Sequence, residues 1–300
     1  NLSGGSYLLD PLGTLQIAGG TLTNGTLTTQ GGGGALQVST SGTLDSLTLG
    51  VNLVGGNGAQ LVVPGTLTLA SGSTLSLGEG ASANFTGSGT TPALLGAGTV
   101  QLAAFVSPST VQSTATGSTL TIGQGILVQG TSSWLGKATL GSATNSLLMQ
   151  GRVEAGGGHV LLQGSTVEVA ASGTLSAIGN QITVDSANAT NRGLIQAAGN
   201  NVNLQGATLS NIGTLQASSG VLSLQSTAWN NTGTLAALGT GGIELASSFT
   251  STNIGTAVRS GSGFYRLAGT WNLSGGSYLL DPLGTLQIAG GTLTNGTLTT

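Results

Sequence analysis

The sequence predicts an all-β protein folded as a parallel β-helix (β-solenoid) with about 20–22 residues per turn and three short strands in each turn. Three observations support this prediction. Glycines that head short apolar segments recur at a nearly constant spacing between positions 151 and 255. Apolar and polar residues alternate within these segments, as they do in half-buried strands. The chain also has no long apolar stripe of helical period with charged residues on its other face.

The composition favours a packed chain that carries little charge. The 300 residues include 55 glycines, 38% are hydrophobic, only 4% are charged, and the net charge is −3. Disordered chains combine low hydrophobicity with high net charge, and collagen needs glycine at every third position, so neither class fits. Cysteine is absent, which excludes a disulfide framework and a thiolate metal site.

Two classes of partner are not expected from the sequence. The five basic residues are scattered along the chain and cannot neutralise a row of phosphates, so we expect no nucleic acid partner. Glycine, serine, threonine or asparagine interrupts every apolar run after a few positions. A helix that crosses a bilayer needs a much longer apolar run, so this segment contains no predicted membrane span.

The first element along the chain is the segment 1–29, which recurs letter for letter at 272–300. A shared fold tolerates substitutions, so complete identity over this length indicates a tandem duplication. We expect residues 1–271 to form one β-solenoid unit and residues 272–300 to begin the next identical unit. The solenoid is then continuous, with no separate domain.

The N-terminal half uses the same residue types with a looser spacing, so the register of its turns is not predicted. Alternating segments that predict strands lie at 42–49, 65–77, 98–102 and 117–122. Their leucines and isoleucines are spaced two apart and therefore face inward, while threonine and serine face outward. The glycine-rich stretches at 30–35 and 87–98 predict loops that bulge from the stack.

The C-terminal half contains the clearest period. The glycines that head its turns are Gly173, Gly193, Gly213, Gly233 and Gly255, and asparagines stand two residues before four of them, at Asn191, Asn211, Asn231 and Asn253. Glycine at a tight corner is expected to supply a positive φ. The asparagines predict a stacked amide ladder that bonds the turn backbone and its own copies above and below. A row of ligand-binding side chains is the alternative interpretation.

These repeats resemble the β-helical repeats of filamentous haemagglutinin-like proteins, which are exported by two-partner secretion, and the passenger domains of autotransporters. The resemblance is carried by NRGLIQ, NIGTLQ, NTGTLA and NIGTAV, at 191–196, 211–216, 231–236 and 253–258. It implies a right-handed β-helix in a secreted bacterial surface protein, often an adhesin. The exact duplication of the segment 1–29 favours a giant repetitive filament protein within that group.

The sequence offers one weak candidate for a polar site. Glu154 and Glu168 are expected near each other on adjacent strands, with Arg152 and His159 close by. This cluster could bind a carbohydrate or an ion, or it could be a solvated surface group that pairs with Arg152 and contributes little to stability. We predict no catalytic, cofactor-binding or metal-binding residue, because His159 is the only histidine and no nucleophile motif is present.

The tryptophans Trp134, Trp229 and Trp271 are expected to fill the solenoid interior, and exposed sugar-stacking platforms are the alternative.

The sequence as a whole predicts a non-catalytic structural repeat of a secreted or cell-surface filament or stalk. Its main partner is expected to be further copies of itself, because low charge permits lateral bundling into fibres. One alternative is an adhesin that binds a host receptor or glycan through loops at 30–35 and 87–98. The other is a polysaccharide-active enzyme, which requires carboxylates that converge in a groove.

Overall fold

The computed structural model describes residues 1–30, 33–87, 91–133 and 136–300, so Trp134 and parts of the two predicted loops, residues 31–32 and 88–90, lie outside the described residues. About 60% of the structure is strand and 1% is helix. The sheets are parallel and stack as a β-solenoid of about 13 turns. This confirms the predicted fold class.

The chain divides into two compact units, Asn1–Ser165 and Thr166–Thr300. The strands of the first unit are β1 (Ser6–Leu9), β2 (Thr14–Ile17), β3 (Thr21–Thr29), β4 (Ala35–Val38), β5 (Ser41–Gly50), β6 (Asn52–Gly55), β7 (Gln60–Val63), β8 (Thr66–Leu69), β9 (Thr74–Leu77), β10 (Ser82–Phe85), β11 (Ala93–Gly96), β12 (Thr99–Ala104), β13 (Thr110–Ser113), β14 (Thr119–Ile122), β15 (Leu127–Ser133), β16 (Ala138–Met149) and β17 (Arg152–Ala155). Strand β18 (Val160–Val169) contains the division between the units.

The second unit continues with the same kind of short strand. Its strands are β19 (Thr174–Ala177), β20 (Ile182–Asn191), β21 (Leu194–Ala197), β22 (Val202–Asn211), β23 (Thr214–Ala217), β24 (Val221–Leu224), β25 (Ala228–Asn231), β26 (Thr234–Ala237), β27 (Gly242–Leu245), β28 (Ser248–Thr250), β29 (Thr256–Arg259), β30 (Phe264–Leu267), β31 (Thr270–Asn272), β32 (Ser277–Leu279), β33 (Leu286–Ile288), β34 (Thr292–Thr294) and β35 (Thr297–Thr299). A 3-10 turn occupies Ser251–Asn253.

The register of the second unit follows the period of the sequence. Thr174 pairs with Leu194, Leu194 with Thr214, and Thr214 with Thr234, so these three turns are equal in length. The next turn, from Thr234 to Thr256, is two residues longer. The spacing of the glycines therefore equals the spacing of the turns.

The turns of the first unit vary in length, which explains why their register could not be predicted. The turn from Ala35 to Asn52 is short, whereas the turn from Thr99 to Leu127 is much longer. Most strands of the sheet that contains these residues still have the same length, β4, β6 and β9 among them. The variation is therefore concentrated in the corners between strands.

One loop prediction is wrong in part. Within the stretch 87–98, Ala93–Gly96 forms strand β11, which pairs with β8 and β14. Leu94 in this strand is fully buried. The segment Ala-Leu-Leu-Gly does not alternate between apolar and polar residues, and the flanking glycines favoured a loop. The other stretch, 30–35, ends where β4 begins at Ala35.

Inward-facing aliphatic side chains stack directly on one another from turn to turn. In the first unit, Leu53, Leu75, Val100, Val128 and Val153 are register partners in successive strands. All five side chains are fully buried. Burial of each such side chain contributes about 1.5–3 kcal/mol to stability. Every turn therefore adds an apolar side chain to the same core.

The second unit adds an aromatic stack to its interior. Trp229, Phe249 and Trp271 are all buried. Their ring centroids lie 4.9 Å apart for Trp229 and Phe249, and 5.6 Å apart for Phe249 and Trp271. Trp229 and Trp271 therefore fill the interior, as the sequence predicts, instead of forming exposed platforms.

Candidate functional site

The asparagines of the second unit form a buried row of hydrogen-bonded amides. The Nδ2 of Asn191 donates to Oδ1 of Asn211 at 2.7 Å, and the Nδ2 of Asn211 donates to Oδ1 of Asn231 at 2.6 Å. The same amides also donate to the main chain, as Asn191 does to the Thr214 carbonyl at 3.1 Å. All three asparagines are at most 2% exposed. Their polar atoms therefore face one another and not a ligand.

Asn253 stands outside this row. The turn before it is two residues longer, and Asn253 lies in the 3-10 turn. Its Oδ1 accepts from the Thr250 main-chain N–H at 2.8 Å, and its Nδ2 donates to the Trp229 carbonyl at 2.9 Å. The row ends instead at the Ile254 carbonyl, which accepts from Nδ2 of Asn231 at 2.5 Å. Each of the four asparagines stands two residues before its glycine, so this spacing did not reveal that Asn253 leaves the row.

The glycines that follow the asparagines permit close approach of the backbone between turns. A Cβ on Gly193, Gly213 or Gly233 would overlap the carbonyl oxygen of the glycine one turn earlier, beginning with Gly173. None of these three has a positive φ. Only Gly255 of the predicted series has one, at 59°. The expected reason for glycine, a positive φ, therefore applies to Gly255, and steric contact is the reason at the other three.

The four residues of the predicted polar cluster do not form one site. Arg152 and Glu154 form an ion pair, and Gln129 Nε2 donates to the other oxygen of Glu154 at 3.1 Å. Glu168 pairs instead with Arg192, whose Nε lies 3.0 Å from Glu168 Oε1. Both arginines are about half exposed, and exposed ion pairs of this kind contribute little to stability.

His159 is buried, with 9% of its surface exposed. Burial, and to a smaller extent the positive charge of Lys137, lowers the pKa of His159 to about 4. Its main-chain carbonyl accepts from the Ala138 N–H at 3.0 Å. The imidazole is therefore neutral at physiological pH and belongs to the packed wall of the turn.

A second polar row was missed by sequence reasoning. Ser223, Glu244 and Arg266 are register partners on three successive turns. Ser223 Oγ donates to Glu244 Oε1 at 2.7 Å, and Arg266 Nη2 lies 2.5 Å from Glu244 Oε2. Glu244 and Arg266 have the same separation in the sequence as Asn231 and Asn253. The 22-residue spacing of those two asparagines in the sequence was therefore the signal that could have predicted the pairing of Glu244 with Arg266.

A shallow groove of about 470 Å³ lies on the surface of the second unit. It runs across strands β20, β22 and β25, and its lining includes the outer side chains Asn188, Thr190, Thr208, Ser210 and Asn230. Thr208 Oγ1 lies 3.0 Å from Asn188 Oδ1. The lining thus offers amide and hydroxyl groups but no charge.

Neither a metal site nor a membrane-spanning helix is found in the part of the chain that the structure describes. No group of three or more histidine, aspartate or glutamate side chains there is arranged to hold a metal ion. No helix among the described residues is long and apolar enough to cross a membrane. Comparisons of the chain with known protein families, with curated proteins and with solved structures find no match.

Proposed function

We propose that this chain is a non-catalytic structural repeat of a secreted or cell-surface filament or stalk. The observation that carries the proposal is the column of buried aliphatic side chains stacked in register from turn to turn, as in the series from Leu53 to Val153. A core built this way can be lengthened by adding turns, because each turn contacts only its neighbours.

The polar side chains support a structural role better than a catalytic one. Glycoside hydrolysis, for example, needs two carboxyl groups that face each other across the substrate. Here Glu154, Glu168 and Glu244 each pair with an arginine. The buried amides of the asparagine row are bonded to one another. These carboxylates and amides are already engaged with neighbouring side chains and are not free acids or bases.

The extracellular location in this proposal rests on the sequence, through the resemblance of the asparagine–glycine repeats to filamentous haemagglutinin-like proteins. The low net charge of −3 removes the repulsion that keeps rods apart and supports lateral bundling. The partners proposed are therefore further repeats of the same kind.

Electron microscopy of the full-length protein on the cells that make it tests the proposal. One tandem repeat, residues 1–271, holds about 12 to 13 turns at about 4.8 Å per turn, which gives an expected axial spacing of about 60 Å between successive repeats. Uniform fibres with this repeat, decorated by antibodies raised against the chain, are the expected result. Antibody labelling confined to the cell interior, or to short isolated rods, would contradict it.

Glycan adhesion is a second candidate function, and the surface groove lined by Asn188 and Thr208 favours it. Its volume of about 470 Å³ lies within the range of small-ligand sites, and neutral amides and hydroxyls match the hydroxyl groups of sugars. Glycan-array binding that is lost in Thr190→Leu, and retained in a substitution away from the groove such as Thr68→Leu, would support it. Binding by neither protein would remove this candidate.

A further inference from the structure

Two neighbouring cavities on the surface of the first unit form one long groove. Their volumes are about 280 Å³ and about 210 Å³, and Thr131 lines both of them. The other lining side chains include a row of outward-facing register partners on β6, β9, β12, β15 and β17, namely Val54, Ser76, Gln101, Gln129 and Glu154. The groove therefore crosses five successive turns, which corresponds to a length of roughly 20 Å at the usual spacing of strands.

A β-bulge lies where the two cavities meet. Leu102 pairs with Gly130 and Ala103 pairs with Ser132, so Thr131 is an extra residue between the two pairs. Its Oγ1 donates to the Leu102 carbonyl at 3.1 Å. Bulges are frequent beside functional sites because they redirect a side chain, and here the redirected residue is the one that both cavities share.

Two glycines keep the groove open although the fold does not require glycine at either position. A Cβ on Gly156 would have no neighbouring atom within 4 Å, and the nearest neighbour of a Cβ on Gly56 would lie at 3.8 Å. Neither glycine has a positive φ. The adjacent Gly157 is different, because its Cβ would lie 2.4 Å from the Thr131 carbonyl oxygen. A larger residue at 56 or 156 would therefore be accepted by the backbone and would occupy the groove.

Neighbouring side chains orient the two amides of the groove. Arg152 pairs with Glu154, and the Glu154 carboxylate accepts from Gln129 Nε2 at 3.1 Å. An ionised carboxylate can only accept, so Gln129 keeps its Oε1 as an acceptor for a ligand. One turn away, Gln101 Oε1 accepts from Ser76 Oγ at 3.1 Å, which leaves Gln101 Nε2 as a donor. Neither of these two atoms has a hydrogen-bond partner among the described residues.

The chemistry of the lining selects a neutral ligand that is rich in hydroxyl groups. Glu154 is the one charged side chain among the described lining residues, and Arg152 already neutralises it. Strands β9 and β12 pair with a neighbouring turn on both sides, so a peptide cannot join them as a further strand. Hydroxyl groups both donate and accept, and they therefore match an oriented amide acceptor next to an oriented amide donor.

We propose that this groove binds a neutral linear oligosaccharide that lies across the five turns. Gln129 Oε1 accepts from a sugar hydroxyl, and Gln101 Nε2 donates to a sugar oxygen one turn away. Gly56 and Gly156 leave room for the sugar rings. The site is separate from the groove of the second unit, and it does not depend on the proposed structural function.

Calorimetric titration of the full-length protein with neutral oligosaccharides of increasing length tests the inference. The probes are the series from cellobiose to cellohexaose, from xylobiose to xylohexaose and from maltose to maltohexaose. Oligogalacturonates of the same lengths serve as the charged comparison.

Two substitutions in the groove have matched controls outside it. Gly156→Leu fills the groove, and Gly65→Leu is its control, because a Cβ on Gly65 would also have no neighbour closer than 3.9 Å. Gln129→Leu removes the oriented acceptor. Gln112→Leu is its control, because Gln112 is an outward amide of the same unit that donates to Asn84 at 2.9 Å and does not line the groove.

Wild type is expected to bind at least one neutral series, with an affinity that rises with length because a longer oligosaccharide reaches more turns. Gly156→Leu should abolish this binding, and Gln129→Leu should weaken it about tenfold through the loss of a hydrogen bond. Gly65→Leu and Gln112→Leu should bind as wild type does, and so should Thr190→Leu in the groove of the second unit. Circular dichroism verifies that each variant keeps its strand content.

Three outcomes would overturn the inference. The first is that no neutral series binds, or that only the oligogalacturonates bind. The second is an affinity that does not change with length. The third is binding that survives in folded Gly156→Leu and Gln129→Leu but is lost in Thr190→Leu, which would assign the ligand to the groove of the second unit. Each result can occur whether or not the protein forms filaments, so a failure here leaves the proposed function untouched.

Discussion

Replacing Asn211 by alanine tests whether the buried amide row holds the turns of the second unit together. The carboxamide of Asn211 accepts from Asn191 at 2.7 Å and donates to Asn231 at 2.6 Å. It is 1% exposed, so water does not replace it easily. Asn230, the outward-facing neighbour of Asn231, is exposed and provides a control of the same residue type.

The expected loss follows from the partners left behind. Asn231 Oδ1 loses the amide of Asn211, and a buried polar atom without a partner costs about 1–3 kcal/mol. Asn191 Nδ2 keeps its bond to the Thr214 carbonyl, so its cost is smaller. We expect Asn211→Ala to lower the free energy of unfolding by about 2–4 kcal/mol, and Asn230→Ala to change it by less than about 0.5 kcal/mol.

Urea denaturation followed by tryptophan fluorescence measures this difference, since Trp229 lies one turn from Leu209 and is buried. Hydrogen exchange of the amides in β22 and β23 adds a local measurement, because solenoids can open in parts. Equal effects of Asn211→Ala and Asn230→Ala would refute the argument that the row contributes to stability.

Three further predictions follow from single contacts. Gly213→Ala should destabilise the fold by several kcal/mol, because its Cβ would overlap the Gly193 carbonyl, whereas Gly156→Ala, with no atom within 4 Å of its Cβ, should be near neutral in the same urea assay. The pKa of His159 is lowered from 6.5 to about 4 in the folded chain, so the unfolded chain takes up this proton first as the pH falls. The contribution of His159 to the free energy of unfolding should therefore be constant above pH 6.5 and fall by up to about 3 kcal/mol towards pH 4. A His159→Gln variant should lose that part of the pH dependence, and an unchanged profile would contradict the assignment. Tyr265→Phe removes a buried hydrogen bond of 2.7 Å to a main-chain carbonyl and should lower the melting temperature, while an unchanged value would mean that this bond contributes nothing.

The fold class and the length of the turns in the second unit could be predicted because this unit repeats its corner residues at a constant spacing. Thr174, Leu194 and Thr214 are partners at the predicted interval. In the first unit the corners change length, so the strands remain while the period disappears. Strand β11 (Ala93–Gly96) was missed because its residues do not alternate and glycines flank it.

The polar candidates were harder to predict than the core. Burial follows from alternation along one strand, but an ion pair between turns depends on how many residues separate two strands. The interval from Glu168 to Arg192 is two residues longer than the interval from Glu244 to Arg266. A single assumed turn length therefore could not assign both pairs.

The buried amides and close glycine contacts supply a constraint that the apolar core lacks. Side chains in a strand alternate with a period of two, so a slip of one residue moves the apolar side chains outward, whereas a slip of two residues keeps them inside. In the second unit such a slip would take Asn211 away from Asn191 and would move Gly213 away from the Gly193 carbonyl. The first unit uses individual buried groups at its corners, such as Asn145, which accepts from the Gly117 N–H at 3.0 Å and donates to the Ser113 carbonyl at 2.7 Å. We infer that the repeated leucines and valines make the turns stack, and that these few polar and glycine contacts decide which residues stack on which.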